Sequence, residues 1–209
     1  FHPDLSRSKA TAWKLVLHCS TRVGGRGIVK VGMQDKRAYN YYAFISYSRK
    51  DEPWAEWLQK RLETYRIPAM LRKQNLNVPQ KLYPVFRDKT DLAGGKLLEM
   101  LHEELDSSQY LIVICSPNSA GSEWVDKEVR HFMKSGREEY IIPFIVDGEP
   151  AAREEGQECY PAALRTEGEG EFLGIGVKEL GKEKAFLRVV AALLNLKFDQ
   201  IVMRDRKRR

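Results

Sequence analysis

One acidic side chain lies on the apolar side of the helix that the sequence predicts over residues 122–134. At about 100° per residue, with Trp124 at zero, Glu128 falls at about 40°, between Trp124 and Phe132. The remaining charged residues of the segment fall between about 200° and 300°, on the solvated side; they are Glu123, Asp126, Lys127, Arg130 and Lys134. Glu128 is therefore the only charged residue that the pattern places among the apolar ones.

A carboxylate in such a position has a limited set of environments. Burying a lone charge costs several kcal/mol, so the group must be paired, neutralised or open to a polar cleft. As a paired group, Glu128 would lie at the edge of the apolar stripe and contact a basic neighbour such as Arg130. As a functional group, Glu128 would be open to a polar cleft, where a fixed carboxylate can stabilise positive charge on a bound molecule.

Strand and helix patterns alternate along the chain and supply the elements that would position this acid. Short β-prone runs lie at 42–47, 82–86, 110–115, 140–146 and, more weakly, 172–177. Helical patterns lie at 51–65, 96–105, 122–134 and 182–196. Asp51 is the predicted N-cap of the first helix, and Pro84 indicates that the second strand is not fully paired. This alternation predicts an α/β fold with a central parallel five-stranded sheet flanked by helices.

In such sheets, ligands bind beyond the carboxyl ends of the strands, near the point where the strand order reverses. The segments that follow the first three strands, 46–51, 87–95 and 116–128, are therefore the predicted ligand-binding region. Glu128 lies in the third of them.

The same segments carry four motifs in order. They are Phe44-Ile45-Ser46-Tyr47-Ser48, Arg87-Asp88 followed by Leu92-Ala93-Gly94-Gly95, Ser116-Pro117-Asn118-Ser119, and Ser122-x-Trp124-x-x-x-Glu128. Together they resemble the Toll/interleukin-1 receptor (TIR) domain, most closely its bacterial branch, over about residues 41–196. The resemblance implies a flavodoxin-like three-layer fold. We expect a TIR domain at 39–197, a poorly defined N-terminal extension at 1–38 and a basic C-terminal tail at 198–209.

The resemblance implies an enzyme that cleaves the nicotinamide–ribose bond of NAD+. Its products would be nicotinamide and ADP-ribose or a cyclic isomer, in bacterial immune signalling against phage. Glu128 matches the family's catalytic glutamate, and the implied substrate-binding residues are Phe44, Ser46, Tyr47, Ser48, Arg87, Asp91, Leu92, Ala93, Gly94 and Trp124. NAD+ is then the substrate, with no separate cofactor and no metal ion. Trp124 either stacks on nicotinamide or packs in the core.

Two other functions are compatible with the motifs. TIR domains of a second kind are non-catalytic scaffolds, and the resemblance would assign their self-association, or their contact with other TIR domains, to the loop 87–95. A more distant flavodoxin-like enzyme, such as a deoxyribosyl transferase, also uses a glutamate beside a sugar. The products formed from NAD+ or from deoxynucleosides would distinguish the enzymes.

Charge and cysteine content narrow the partners and the compartment. The net charge is +6, but residues 204–209 contribute five positive charges and one negative, so the remainder is nearly neutral. We therefore expect no nucleic-acid partner and interpret the basic segment as a solvated terminus. Cys19, Cys115 and Cys159 show no paired spacing, which predicts no structural disulfide or zinc site and fits a cytoplasmic protein. No run approaches the ~18 apolar residues of a spanning helix, so a membrane is not an expected partner of this segment.

Three further features give weaker signals. His102 and His131 lie on polar helix faces without spaced partners and are not expected to act as ligands or bases. Gly94-Gly95-Lys96 lacks the spacing of a phosphate-binding loop, although its backbone amides can contact a pyrophosphate. Arg87 and Asp88 can form an ion pair that orders the loop they begin.

Overall fold

The computed structural model describes residues 39–74, 78–87, 95–154, 156–165 and 172–206. Within these ranges, the side chains of residues 74, 95–99 and 203–206 are not described. The N-terminal extension at 1–38, with Cys19, and the loop 88–94 lie outside the described residues, so the expectations for them stay predictions.

A parallel sheet organises the described part of the chain. Its strands are β1 (Tyr41–Ser46), β2 (Val85–Arg87), β3 (Ser108–Cys115), β4 (Ile141–Ile145) and β5 (Ile175–Gly176). They pair in the order β2-β1-β3-β4-β5, and every pair is parallel. This is the strand order of flavodoxin-like folds. The predicted fold class is confirmed.

The burial of the strands follows from their composition. β3 lies in the middle of the sheet, and its apolar residues from Tyr110 to Cys115 are all buried, because helices cover both faces. β2 is an edge strand, in agreement with the prediction from Pro84. It covers only three residues, and its pairing with β1 begins at Val85, after the proline.

Helices cover both faces of the sheet. They are α1 (Glu52–Thr64), α2 (Ala69–Gln74), α3 (Gly95–Asp106), α4 (Pro117–Ala120), α5 (Glu123–Lys134), α6 (Val177–Leu180), α7 (Lys182–Leu193) and α8 (Phe198–Arg206). The first core lies between the sheet and α1 and α7, and includes Ile45, Leu58 and Phe186. The second core lies between the sheet and α3 and α5, and includes Phe44 and Phe132. The three layers are those that the sequence predicts.

Alternation along β1 decides which core each of its side chains enters. Ala43 and Ile45 lie in the first core, whereas Phe44 lies in the second. Successive side chains of a strand point to opposite faces. Ser46, the last residue of β1, therefore points to the same face as Phe44, toward α5.

Serine caps start the two helices that follow β3. The Ser116 hydroxyl accepts from the backbone N–H groups of Asn118 and Ser119, and the Ser119 hydroxyl accepts from the backbone N–H of Ser116, which completes a capping box on α4. Ser122 caps α5 by accepting from the Val125 N–H at 3.4 Å. These caps fix where α5 begins and thereby its phase relative to the sheet.

The segment that begins at residue 198 differs from its prediction. Residues 198–206, predicted from their charge to belong to a basic tail, form helix α8. Ile201 is fully buried in the first core, and Val202 packs against that core, so the apolar residues of the segment override its net charge. No helix among the described residues is both long enough and apolar enough to cross a membrane.

Candidate functional site

Ser46 and Glu128 meet at the carboxyl end of β1. The Ser46 hydroxyl donates a hydrogen bond to Glu128 Oε2 at 2.5 Å, and the two residues are only 1% and 5% exposed. β1 and β3 are neighbours that lead to opposite sides of the sheet, so this is the topological switch point, where flavodoxin-like folds bind ligands. A buried carboxylate thus lies where the sheet geometry predicts a ligand site.

The helical pattern around Glu128 is as the sequence predicts. Val125, Val129 and Phe132 are fully buried, and Glu128 is the only charged residue of α5 in the buried class. The alternative pairing of Glu128 with Arg130 is wrong, because Arg130 is exposed and its Nε lies 2.6 Å from Asp126 Oδ2. Glu128 is therefore a buried acid on the apolar face of α5, and not a residue at the border of that face that pairs with Arg130.

Trp124 lies one turn before Glu128 and is half-buried against the second core. Both roles predicted for it fit this placement, since one part of the indole packs and another faces solvent. Phe44 is fully buried and stacks on Phe86, with ring centroids 5.1 Å apart. A contribution of Phe44 to the site would act through the packing beneath Ser46.

Asp51 forms a second polar cluster, also at the carboxyl ends of the strands. It occupies the N-cap position of α1, as predicted, but its side chain makes no capping bond there. Instead, its carboxylate accepts from the Ser116 hydroxyl at 2.6 Å and from Asn118 Nδ2 at 2.9 Å. Asp51 is 5% exposed and Ser116 is 1% exposed. The cluster joins the segment after β1 to the segment after β3.

Arg87 and Tyr47 lie on the other face of the sheet. Arg87 Nη1 donates to Glu52 Oε1 at 2.9 Å, and its Nε donates to Gln59 Oε1 at 3.1 Å. Its guanidinium also lies 5.9 Å from the Tyr47 ring centre, and Tyr47 packs against the first core. These contacts tie the end of β2 to α1.

Strand register explains the separation. Arg87 pairs with Ile45, a first-core residue, whereas Ser46 and Glu128 belong to the second-core side. The structure thus brings together Ser46 and Glu128, with Trp124 one turn before Glu128 on α5, and it groups Arg87 with Tyr47 and α1. Ser48 is half-buried and precedes the 3-10 turn Arg49–Asp51. Asp91, Leu92, Ala93 and Gly94 lie outside the described residues, as does Asp88.

His102 and His131 form a stacked pair on α3 and α5. Their ring centroids are 3.9 Å apart with an interplanar angle of 10°, and His131 Nε2 lies 3.0 Å from Asp106 Oδ1. The sequence shows no spaced partner for either histidine, and these contacts form between residues of two different helices. Burial, followed by the nearby His131, lowers the pKa of His102. Asp106 ends α3 just before β3 begins. The pair therefore lies toward the amino ends of the strands, whereas Glu128 lies at their carboxyl ends.

Among the described residues, the cysteines do not have the properties of nucleophiles, and no cluster of side chains suits a metal ion. Cys115 and Cys159 are free and buried, as predicted for Cys115. Burial raises the pKa of Cys159 to about 12 and the pKa of Cys115 well above its usual value, so both thiols stay protonated. Within these residues, no group of three or more His, Cys, Asp or Glu side chains is arranged to hold a metal ion.

A cavity of about 570 Å³ lies in the loop after β4. Its lining includes Glu149, Arg153 and Gln157, and no predicted site residue contributes to it. The burial and hydrogen bonding of Glu128 identify the candidate site better than this open surface depression does.

Comparison with known proteins shows the family that the chain is similar to. The family profile for the TIR domain matches residues 43–172. The chain is 32% identical over 111 residues to the NAD(+) hydrolase ApTIR from Actinoplanes sp., a match that covers 52% of this chain and 14% of that protein. The chain thus spans about a seventh of this curated relative's length.

A solved structure that contains TIR domains is also similar to the chain. It is the activated Roq1 resistosome directly recognizing the pathogen effector XopQ, with 21% identity and a TM-score of 0.36 over 52% of this chain and 59% of that one. The fold assignment rests on the strand order described above and not on this alignment.

Proposed function

The chain belongs to the TIR domain family, and on that premise we propose that it cleaves the nicotinamide–ribose bond of NAD+, with Glu128 as the catalytic carboxylate. The observation that carries this proposal is the buried Glu128 at the switch point, held by the Ser46 hydroxyl at 2.5 Å. The 32% identity to an NAD(+) hydrolase over about half of the chain adds support.

The chemistry needs one acid. When nicotinamide leaves NAD+, positive charge develops on the ribose, and a fixed carboxylate beside the sugar stabilises that charge. Nicotinamide departs as a neutral molecule from a cationic precursor, so no second acid has to protonate it. Water then attacks the ribose carbon and releases a proton, which balances the reaction as NAD+ and water giving nicotinamide, ADP-ribose and a proton.

The surroundings of Glu128 suit such a role. In a site of low exposure, the electrostatic interaction between carboxylate and ribose is screened less than in water. The Ser46 hydrogen bond fixes one carboxylate oxygen before substrate arrives, so little reorganisation is needed in the transition state. The half-buried Trp124 offers an aromatic surface one turn away, on which the cationic nicotinamide ring can stack.

Several finer features belong to the same proposal. A ribose hydroxyl or an adenine nitrogen that attacks in place of water gives a cyclic ADP-ribose isomer, so product type depends on water access. We also propose that the domain acts after self-association or contact with other TIR domains, in the cytoplasm, as the signal-producing part of a defence against phage.

A product assay tests the proposed function. Concentrated wild-type protein is incubated with NAD+, and the products are separated by chromatography alongside those of Glu128→Gln. We expect nicotinamide and ADP-ribose, or its cyclic isomer, from the wild type and neither from Glu128→Gln. The matched control is Glu123→Gln on the same helix, where the Glu123 side chain is 91% exposed, and it should behave as wild type.

Two results would overturn the proposal. If the wild type and Glu128→Gln both leave NAD+ intact, the domain is better explained as a non-catalytic TIR scaffold. If the wild type instead exchanges the base of a deoxynucleoside, the site is that of a deoxyribosyl transferase. Circular dichroism of each variant establishes that the substitution leaves the fold intact.

A further inference from the structure

Asp51 is a buried carboxylate that the reaction outlined above does not use. It follows β1 by five residues and is 5% exposed. At the N-cap position of α1, an aspartate ordinarily accepts from the backbone amides of the first helical turn. Here its two oxygens accept instead from the Ser116 hydroxyl at 2.6 Å and from Asn118 Nδ2 at 2.9 Å.

The Ser116 hydroxyl depends on this carboxylate. Its oxygen accepts from the backbone amides of Asn118 at 3.1 Å and Ser119 at 3.2 Å, so its lone pairs serve to cap α4. The hydroxyl hydrogen is donated to Asp51. Because Ser116 is 1% exposed, water is a poor substitute for Asp51 as the acceptor.

The hydrogen bonds of the two polar clusters connect the same two segments of the chain. One segment runs from Ser46 to Asp51, and the other runs from Ser116 through α4 and the start of α5 to Glu128. The Ser46–Glu128 hydrogen bond joins them at one end, and the bonds from Asp51 to Ser116 and Asn118 join them at the other. β1 and β3 are already paired along their length, so these side-chain bonds act on the segments beyond the strands.

We propose that Asp51 is a positioning residue for Glu128, which it holds in register with the end of β1 through Ser116, Asn118 and the short helix α4. This inference rests on the proposed cleavage of NAD+. Asp51 acts without touching the substrate, since it is 5% exposed and both of its oxygens accept from residues of the chain. Its loss lets the start of α5 move relative to Ser46, and displacements of about 1 Å at a catalytic group lower rates by up to roughly 100-fold.

The hydrogen bond between Asp51 and Asn118 allows the two residue types to be exchanged. The exchange tests whether the bond between the two positions matters, and not the residue type at either one. In Asp51→Asn, the side chain at 51 offers one acceptor and one donor to two donating partners, so one bond is lost. In Asn118→Asp, a second carboxylate faces Asp51 and repels it. In the double variant, the amide at 51 donates to the carboxylate at 118 while its oxygen still accepts from Ser116, so both bonds are restored in reverse.

The experiment measures kcat and KM for NAD+ cleavage by the wild type, both single variants and the double variant. The exposed acid Asp199 on α8 provides a matched control, as Asp199→Asn. We expect kcat to fall roughly 10- to 100-fold in each single variant with KM changed little. The double variant should recover most of the lost kcat, and Asp199→Asn should match the wild type.

Backbone hydrogen exchange of residues 118–128 in the same five proteins gives a readout that is independent of activity. Faster exchange in the single variants and recovery in the double variant support the positioning role. Single variants that keep the wild-type kcat, or a double variant as impaired as the singles, overturn it. A wild type that cleaves no NAD+ overturns the proposed function instead, and the exchange rates then decide separately whether Asp51 holds this segment.

Discussion

Replacing Ser46 by alanine removes the hydroxyl that donates to Glu128 while leaving the backbone of β1 unchanged. The bond spans 2.5 Å between residues that are 1% and 5% exposed, and its acceptor is a carboxylate. Hydrogen bonds to charged groups contribute about 1.5–3 kcal/mol to the free energy of unfolding, and low exposure places this one in the upper half of that range. We expect Ser46→Ala to lower the free energy of unfolding by about 2–3 kcal/mol, roughly a 30- to 150-fold change in the folding equilibrium.

A double-mutant cycle assigns that loss to the bond itself. Urea unfolding is measured for the wild type, Ser46→Ala, Glu128→Ala and the double variant. Without the carboxylate, the Ser46 hydroxyl is a buried donor that has lost its acceptor, so Ser46→Ala should then cost almost nothing. A cost equal in both backgrounds to within about 0.5 kcal/mol would show that the two side chains do not interact, and would refute the geometry on which the site is built.

Two further predictions concern stability away from the site. The pKa of His102 is lowered by burial and by His131, so the folded state binds a proton less readily than the unfolded state. Its contribution is therefore present above the unfolded pKa of about 6.5 and is lost as the pH falls toward the lower folded value. His102→Gln should flatten the dependence of the urea midpoint on pH between about 7.5 and 5.5, and an unchanged slope would contradict this assignment. Gly148 has φ +77°, and a Cβ there would lie 2.5 Å from the Gln157 carbonyl oxygen. Gly148→Ala should thus lower the free energy of unfolding by more than about 1 kcal/mol, whereas a thermal midpoint equal to that of the wild type would rule out the strain.

Periodicity alone predicts most of the fold. The alternation of strand and helix patterns leads to the parallel sheet, and the wheel position of Glu128 correctly anticipates a buried acid on α5. Both succeed because burial acts on each element separately, so its trace is local in sequence. The helix α8 was harder to predict, because its basic residues obscure Ile201 and Val202, which pack on the first core.

Contacts between segments that are distant in sequence cannot be predicted from local sequence patterns. Asp51 has the residue type and position of an N-cap, and its actual partner Ser116 lies 65 residues away. His102 and His131 meet only because α3 and α5 pack side by side on the sheet. Arg87 faces α1 and not Glu128 because of its register with Ile45, which is fixed by strand pairing and not by the motif around it.

The most direct test of the central claim is the rate of nicotinamide release from NAD+ by Glu128→Gln relative to wild type, with Glu123→Gln as the exposed control. The amide at 128 retains the size of the side chain and can still accept from Ser46, but it carries no charge to stabilise the ribose cation. We predict that Glu128→Gln lowers kcat by at least roughly 100-fold, while Glu123→Gln stays within about twofold of wild type, as for other surface substitutions. A Glu128→Gln enzyme that releases nicotinamide at the wild-type rate would contradict the assignment of Glu128 as the catalytic carboxylate.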